Sequence, residues 1–595
     1  MGTDMSDWTP AFSLAELGVG GVRVFVHGPQ RIAVFRLEDG SVTAIDDRCP
    51  HEGYPLSKGF VNGCVITCRW HSFRFDVHTG KCLVGDEPVR VYPVRMVADI
   101  IELDLSEPDV ASTRKRLEAS LWQGLERRRS GQVARDVVRL LDTGLTSADI
   151  TMYAVRFDAE RAPYGTSHVP ALAHDILARL PALTSRHGVD GQVAALLQVL
   201  DLAAEASLSF PPRVRPEPRS LTSFAELRAC VEAEDAESAE ALVRGAFADG
   251  IARATIEEWI RSLASDHLLD IGHGFIFPPK VFALMAQHDD VATNELVLGA
   301  LVRRITLGTR EELVPEWSWV TRALNANATP DEEGLRGNLG PLIRALLDGT
   351  RKEIFDALER VIASRPFDAV VDALVLAASM RLLRYDLHIE VDPTIQESWL
   401  DVTHALTLAS ALRDYATLDS ATRRRVLFYA AAFIHTRAGL DAPVDLRVLT
   451  AEEERILFGV SASELALLPL TPPDVFEQVQ QALGLRQADR LVRLAESLYI
   501  SDRAALVAAL EDWCLMRPAT RSIFAAHQWK TLVCGDLESQ HLAASADPFI
   551  ARAAALPLLA AARFIGAPLT ERAPLQAAHE ALRFVRESRV PRRRT

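Results

Sequence analysis

This sequence of 595 residues has fewer positively than negatively charged residues, and it is poor in long apolar runs. Lys and Arg number 65 against 80 Asp and Glu, and the resulting net charge of −15 argues against a nucleic-acid partner. No apolar run reaches the about 18 uncharged residues of a membrane span, and residues 1–10 lack the apolar core of a signal peptide. Length and globular composition predict a multidomain protein. We expect it in the cytoplasm, with no nucleic acid and no membrane as partners.

Cysteine is scarce, and nucleotide-binding loops are missing from the sequence. Four of the seven cysteines fall between residues 49 and 82. Because a cytoplasmic chain keeps its thiols reduced, clustered cysteines indicate metal ligands before disulfides. The glycines of Gly18-Val19-Gly20-Gly21 precede a strand pattern instead of a helix, and no P-loop follows elsewhere. If the clustered cysteines hold a redox-active metal, its electrons would therefore have to come from a separate NAD(P)H-dependent reductase.

The hydrophobic pattern changes once along the chain. From residue 9 to 105, short β-branched runs alternate with turns about every 8 to 12 residues, which predicts a small all-β domain. From about residue 112 to 595, apolar residues recur at three- and four-residue spacing, which predicts a large all-α domain.

The most specific motif is Cys49-Pro50-His51, followed after sixteen intervening residues by Cys68-Arg69-Trp70-His71. Two loops thus each offer one thiolate and one imidazole. This pattern fits a [2Fe–2S] cluster in which Cys49 and Cys68 bind one iron and His51 and His71 bind the other. A structural zinc site uses the same residue types, but zinc fingers keep their cysteines together and their histidines together. The mixed pairs therefore favour the iron–sulfur cluster.

Residues 9–105 resemble a Rieske domain of the ferredoxin and oxygenase type. The segment from Cys68 to Asp76 is similar to the second cluster loop of that family, and Val91-Tyr92-Pro93-Val94 is similar to its closing segment. The respiratory-chain type has an additional cysteine in each loop, where this chain has Tyr54 and Trp70. The resemblance thus implies a cluster of lower potential. The α/β catalytic domain of Rieske ring hydroxylases is not expected here, because the rest of the chain is helical.

Several histidines of the helical part lie in apolar sequence, where an imidazole has little contact with solvent. The candidate ligands of a second metal are His168, His267, His273, His404 and His435, with Glu397 or Asp401. A helix is predicted over 397–415, and its period places both carboxylates on the face of His404. Such a set is what a mononuclear non-haem iron site in a helical bundle requires. The alternative is that each histidine is a core residue with its own hydrogen bond.

Residues 150–450 also resemble the questin oxidase-like family, helical iron oxygenases that act on polycyclic aromatic polyketides. The similar segments are Ser167-His168, Leu269-Asp270-Ile271-Gly272-His273-Gly274 and Asp401-Val402-Thr403-His404-Ala405-Leu406-Thr407. The resemblance implies an iron held by four histidines and a carboxylated lysine. No lysine lies beside His404 in the sequence, so Glu397 is the candidate for that carboxylate.

Together these features predict an iron-dependent oxidoreductase, either a mono- or a dioxygenase. The Rieske [2Fe–2S] cluster would deliver electrons to a non-haem iron in the helical domain, where a small apolar substrate, aromatic or polyketide-like, reacts with O2. The alternative is a non-enzymatic Rieske electron-transfer protein with a helical docking scaffold. Iron content separates the two, because the scaffold needs only the two irons of the cluster and the oxygenase needs a third.

Overall fold

The computed structural model describes residues 7–85, 87–106, 109–208, 210–288, 290–326, 339–392, 394–450, 453–454, 474–516, 521–568, 577–578 and 581–587. The chain divides into two compact units, Met1–Thr146 and Ser147–Thr595. The predicted fold class is confirmed, since strands fill the N-terminal part and helices follow.

The first unit is built on three antiparallel sheets. Its strands are Trp8–Ser13 (β1), Val22–His27 (β2), Gln30–Arg36 (β3), Val42–Asp46 (β4), Phe60–Asn62 (β5), Val65–Thr67 (β6), Arg74–Asp76 (β7), Cys82–Val84 (β8), Val91–Tyr92 (β9), Val94–Val97 (β10) and Ile100–Asp104 (β11). The strand orders are β1-β11-β10, β2-β3-β4-β9 and β5-β6-β7-β8. Strand β3 is buried on both faces, because Ala33 and Phe35 pack into one core while Ile32 and Val34 pack into another.

A helical hairpin completes the first unit. It consists of Val110–Glu126 (α1) and Ser130–Asp142 (α2). The Gln132 amide donates to the backbone carbonyl of Ser120 at 2.9 Å, which ties the two helices together. Gly124 permits their close approach, since a Cβ there would lie 3.0 Å from a methyl of Val133. The hydrophobic pattern changes near residue 112, but the compact unit extends past this hairpin to Thr146.

The second unit is helical. Its helices are Ser147–Arg161 (α3), Val169–Ala206 (α4), Phe224–Glu232 (α5), Ala236–Ala248 (α6), Arg253–Ala264 (α7), His273–Met285 (α8), Val291–Leu307 (α9), Ser318–Asn325 (α10), Leu339–Asp348 (α11), Arg351–Ser364 (α12), Phe367–Arg384 (α13), Trp399–Ala411 (α14), Ser420–Thr436 (α15), Val475–Gly484 (α16), Ala488–Met516 (α17), Ser522–Ala543 (α18), Pro548–Arg552 (α19) and Leu556–Ile565 (α20). Helices α4, α8, α14 and α18 pack in a ring, each against the next.

One stretch of the described helices, Pro548–Ile565, is long and apolar enough to cross a membrane. Within the protein 72% of it is buried, so a buried core helix accounts for it equally well. Length and composition alone are weak evidence for a span, so this stretch assigns no membrane to the chain.

Helix α14 begins two residues later than the predicted helix over 397–415. Ser398 is extended at φ −147°, and its hydroxyl accepts a hydrogen bond from the Leu400 amide at 3.2 Å. In return, the Asp401 carboxylate accepts the Ser398 amide at 2.9 Å, which completes a capping box. Glu397 therefore precedes the helix, and the prediction that it shares a helical face with His404 is wrong. The local capping chemistry stops the helix where periodicity alone would extend it.

Candidate metal centres

Two loops of the first unit carry the Cys and His pairs of the predicted cluster site. The loop after β4 carries Cys49 and His51, and the loop between β6 and β7 carries Cys68 and His71. Both loops fold back on their cysteine in the same way. The Cys49 amide donates to the Tyr54 carbonyl at 2.9 Å, and the Cys68 amide donates to the Phe73 carbonyl at 2.7 Å.

The thiols of these loops lie inward and the imidazoles lie outward. Cys49 and Cys68 are 3% and 2% exposed and belong to the apolar core, whereas His71 is exposed. The Nδ1 atoms of His51 and His71 lie 3.2 Å apart. Burial raises the pKa of Cys49 to about 12, and the adjacent Cys68 thiol acts in the same direction. A thiolate at this position therefore needs a metal cation, which fits a cluster with an inner cysteine pair and an outer histidine pair.

Aromatic rings support both loops. Tyr54 of the first loop and Trp70 of the second have their ring centroids 4.8 Å apart. The His51 imidazole stacks on Phe73 at 4.5 Å and 11°. Ring contacts thus join the two loops, and neither ligand cysteine forms a disulfide.

Comparison with known proteins identifies this site. Residues 7–94 match the Rieske [2Fe-2S] domain. The ferredoxin subunit of anthranilate 1,2-dioxygenase from Burkholderia cepacia is 35% identical over 103 residues, which cover 17% of this chain and 94% of that protein. The chain belongs to the Rieske family.

Two further relatives illustrate the range of proteins that carry this Rieske domain. The 4beta-methylsterol monooxygenase of Methylococcus capsulatus is 36% identical over 93 residues, which cover 14% of this chain and 25% of that protein. The solved ferredoxin of carbazole 1,9a-dioxygenase from Nocardioides aromaticivorans is 30% identical, with a TM-score of 0.16, and covers 17% of this chain and 100% of that chain. These relatives cover only the Rieske domain of this chain. The Rieske domain implies a [2Fe–2S] cluster and an electron-transfer role.

A second set of imidazoles meets inside the ring of helices in the second unit. This histidine cluster consists of His168, His273, His404 and His527. His168 directly precedes α4, His273 begins α8, and the other two lie within α14 and α18. The Nε2 atom of His273 is 3.0 Å from that of His168 and 2.8 Å from that of His404. The Nε2 atoms of His404 and His527 are 3.3 Å apart.

The hydrogen bonds of His404 and His527 fix which ring nitrogen carries the proton. Each imidazole donates from Nδ1 to the backbone carbonyl four residues earlier in its own helix, to Leu400 and to Ile523 respectively. A carbonyl only accepts, so both Nε2 atoms carry a lone pair and face each other as two acceptors. Burial lowers the pKa of all four imidazoles of the cluster well below the ordinary value, which opposes a bridging proton. A metal cation bound between the two Nε2 atoms would make this arrangement favourable.

The spacing of the nitrogen atoms fits one metal ion. Two nitrogens that bind an ion at about 2.1 Å, with ligand angles between octahedral and tetrahedral, lie about 3.0–3.4 Å apart. The measured separations of 2.8, 3.0 and 3.3 Å fall close to this range. Neutral imidazoles that donate their second ring nitrogen to a carbonyl are also the usual form of a metal-binding histidine.

A buried carboxylate fixes the segment that leads to His168. The Asp158 carboxylate accepts the Thr166 hydroxyl at 2.8 Å, the Ser167 amide at 2.9 Å and the Ser167 hydroxyl at 2.6 Å. Gly165 lets this segment pass close to α9, because a Cβ there would lie 2.2 Å from the Ala300 carbonyl. The position of His168 is thus set before its helix begins.

A strained turn precedes His273. Asp270, Ile271 and Gly272 all adopt positive φ, at 44°, 53° and 100°. A β-branched residue such as Ile271 rarely adopts this conformation, and strain of this kind concentrates at functional sites. The turn is held by Asp270, whose carboxylate accepts the Thr309 amide at 2.7 Å and pairs with Arg304 at 2.8 Å.

Helix α18 adds further buried polar groups near His527. Lys530, one turn after His527, is 2% exposed, and burial lowers its pKa to about 7, with the charge of Lys280 acting in the same direction. Its Nζ has no hydrogen-bond partner among the described residues. The side chains of Gln528 and Thr531 are fully buried and equally without a partner there. Buried polar groups without partners each cost about 1–3 kcal/mol, so this part of the helix has the chemistry of a binding site.

The structure does not bring two of the predicted ligands into the histidine cluster. Both ring nitrogens of His267 face carboxylates, Nδ1 towards Glu312 and Nε2 towards Glu232 at 3.1 Å. These carboxylates raise its pKa against the effect of burial. His435 lies against Trp319 at 6.1 Å, and burial lowers its pKa to about 4. Both are partly buried histidines whose surroundings lie outside the histidine cluster.

The carboxylates proposed from the sequence also have other surroundings. Asp401 caps α14 and lies 3.6 Å from Arg437, so it is engaged away from His404. Glu397 is buried in the segment before the helix.

Sequence reasoning missed His527 and Lys530. Both lie in α18, which buries apolar residues such as Ala525, Trp529 and Leu532 around much of its circumference. A polar side chain in an otherwise buried helix needs a partner, and this need is the signal that could have identified His527 and Lys530. The signal was weak because the partners lie on other helices that are far away in sequence.

We predict that Cys68→Ser abolishes the [2Fe–2S] cluster, because a hydroxyl does not replace the buried thiolate that holds iron. The measurement is visible absorption together with iron and acid-labile sulfide content. Cys64→Ser is the matched control, since Cys64 is an exposed free thiol of the same domain and the cluster should survive its loss. A normal Rieske spectrum in Cys68→Ser would contradict the assignment.

His71→Cys should retain a cluster and lower its reduction potential. The change exchanges a neutral imidazole for an anionic thiolate, which makes the added electron less favourable. Spectroelectrochemistry measures the shift against the parent protein. An unchanged potential would mean that His71 is not a ligand.

Proposed function

We propose that this protein is a Rieske-coupled oxygenase whose second metal, a non-haem iron, is held by the histidine cluster of the helical unit. The observation that carries the proposal is the pair of Nε2 atoms of His404 and His527, which face each other at 3.3 Å with both Nδ1 atoms bonded to carbonyls. Imidazole suits zinc, copper and nickel as well as iron. Iron is favoured because a Rieske domain supplies single electrons, which zinc has no use for.

Bound iron would supply the one-electron chemistry that O2 activation requires. The residues of this chain would provide four neutral imidazoles and exclude water from them. Phe277 contributes to that exclusion, since its ring stacks on His273 at 4.7 Å and meets His168 edge-on at 5.3 Å. Electron delivery from a separate NAD(P)H-dependent reductase fits the ferredoxin-like Rieske domain.

Lys530 is the proposed source of an anionic ligand, in place of Glu397. A neutral lysine amine adds to CO2 to form a carbamate, releasing one proton. Burial of Lys530 favours the neutral amine that this addition needs. The carbamate would give the otherwise neutral imidazole set a carboxylate oxygen, as the questin oxidase-like resemblance implies.

The proposed substrate is a small apolar molecule, aromatic or polyketide-like. Mainly apolar helix faces surround the histidine cluster, and the Gln528 amide and Thr531 hydroxyl offer hydrogen bonds to a hydroxyl or carbonyl group. We place the protein in the cytoplasm as part of the same proposal. The non-enzymatic alternative, an electron carrier with a helical scaffold, gives the buried nitrogen cluster no role.

His404→Ala should lose the non-cluster iron and any oxygenation while the Rieske spectrum stays intact. Anaerobically purified parent protein should contain three irons per chain and the variant two, because the cluster accounts for two. His435→Ala is the matched control, since His435 is another partly buried histidine of the second unit that lies outside the cluster. Equal iron in parent and His404→Ala would favour the electron-carrier alternative.

Lys530→Met should remove a carbamate signal and reduce the occupancy of the second metal. Protein equilibrated with ¹³C-bicarbonate is examined by ¹³C NMR in its metal-free or diamagnetic zinc-loaded form. Lys352→Met, at an exposed lysine, is the control that should keep the signal. A parent protein without a carbamate resonance would refute carboxylation, while the imidazole site would still be judged by its iron content.

A further inference from the structure

The helical hairpin α1–α2 reaches the first cluster loop through one side chain. The Arg135 guanidinium, on α2, donates from Nη1 to the backbone carbonyl of His51 at 2.8 Å. Its Nε donates to the Glu87 carboxylate at 3.0 Å. Arg135 lies beyond residues 7–94, which match the Rieske family, so this contact comes from outside the matched region.

Arg135 joins two segments that flank the cluster site. His51 belongs to the loop after β4, and Glu87 belongs to the segment that follows β8. Glu87 is 3% exposed, and burial raises its pKa even though Arg135 opposes the shift. Removing the guanidinium would leave this carboxylate poorly compensated, because Arg139 approaches it only to 3.7 Å and also pairs with Asp136 at 3.2 Å.

The contact places the positively charged guanidinium within hydrogen-bond distance of the backbone carbonyl of His51, a cluster ligand. In its oxidised form a Rieske cluster with two ferric ions, two sulfides, two thiolates and two neutral imidazoles has no net charge, and reduction adds one negative charge. A nearby cation therefore stabilises the reduced form, and a nearby anion destabilises it. The guanidinium binds Glu87 through Nε and the His51 carbonyl through Nη1, so the cation is the group in contact with the ligand loop.

We propose that Arg135 is a positioning residue for the cluster, which holds the His51 loop and raises the reduction potential of the [2Fe–2S] group. The hairpin α1–α2 would thereby contribute to electron transfer, because it provides the side chain that sets the potential. This inference depends on the Rieske site alone and is independent of the proposed second metal.

The test measures reduction potentials of the full chain by spectroelectrochemistry, with electron paramagnetic resonance of the reduced cluster and iron and sulfide content alongside. Arg135→Gln should shift the ratio of reduced to oxidised cluster about tenfold towards the oxidised form at a fixed potential, a change of about 59 mV for one electron. Arg139→Gln is the control of equal charge change, because Arg139 makes no hydrogen bond with the ligand loop among the described contacts, and its shift should be smaller.

A second variant separates charge from loosening of the loop. Glu87→Gln removes the anion and keeps the guanidinium, so it should raise the potential at neutral to mildly alkaline pH. The proposal is supported if Arg135→Gln lowers the reduction potential and Glu87→Gln raises it. It is also supported if the potential falls further in Arg135→Gln than in Arg139→Gln. If Arg135→Gln fails to assemble a cluster, the direction of the change in reduction potential in Glu87→Gln decides whether the proposal holds. An unchanged or lowered potential in Glu87→Gln, or equal shifts in the two arginine variants, overturns it.

Discussion

Lone pairs on buried imidazole nitrogens cannot face each other without a positive charge between them, and the interior of the helical unit is arranged around this constraint. Helices α14 and α18 use the same device, a histidine whose Nδ1 donates to the carbonyl four residues earlier. This leaves both Nε2 atoms as acceptors at 3.3 Å. Burial works against protonation of either ring. A metal bound there would stabilise the folded ring of helices as well as serve chemistry, because it would bind the native state far better than the unfolded chain.

The Rieske site and the histidine cluster both use imidazoles, but they place them in different surroundings. In the Rieske domain, imidazoles stand at loop tips near solvent, where an electron can enter through an exposed ring such as His71. In the helical unit the imidazoles are withdrawn from water, and their positions are fixed from outside. Asp158 holds the segment before His168, and the left-handed turn ending at Gly272 sets the start of the helix that His273 opens. Entry of electrons requires exposure, whereas the oxygen chemistry proposed for the helical unit would require a site closed to water.

The sequence was sufficient wherever the signal was local. Cys49 and His51 are two residues apart, Cys68 and His71 three apart, and such spacings identify loop ligands directly. His168, His273 and His404 could be proposed as ligands because each lies in apolar sequence. Selection among the histidines failed for His267, because carboxylate partners distant in sequence satisfy its ring as well as a metal would. It failed for His435 because that ring packs against Trp319, away from the histidine cluster. Glu397 failed because Ser398 caps the helix after it. His527 and Lys530 were missed because only tertiary packing brings α18 to the other three helices.

Fusion of the Rieske domain to a helical unit changes the kinetics of the proposed electron transfer. In the relative from Burkholderia cepacia the matched region is 94% of a separate ferredoxin subunit, whereas here it is 17% of one chain. A separate carrier meets its acceptor by diffusion, at a rate set by its concentration. A covalently linked carrier acts at an effective concentration that reaches about millimolar for short flexible connections. In the proposed scheme the cluster would not need to bind its acceptor tightly, and the exposed His71 would be the point of contact with a reductase. Contacts such as the one between Arg135 and the His51 loop then matter most for the driving force, which linkage does not supply.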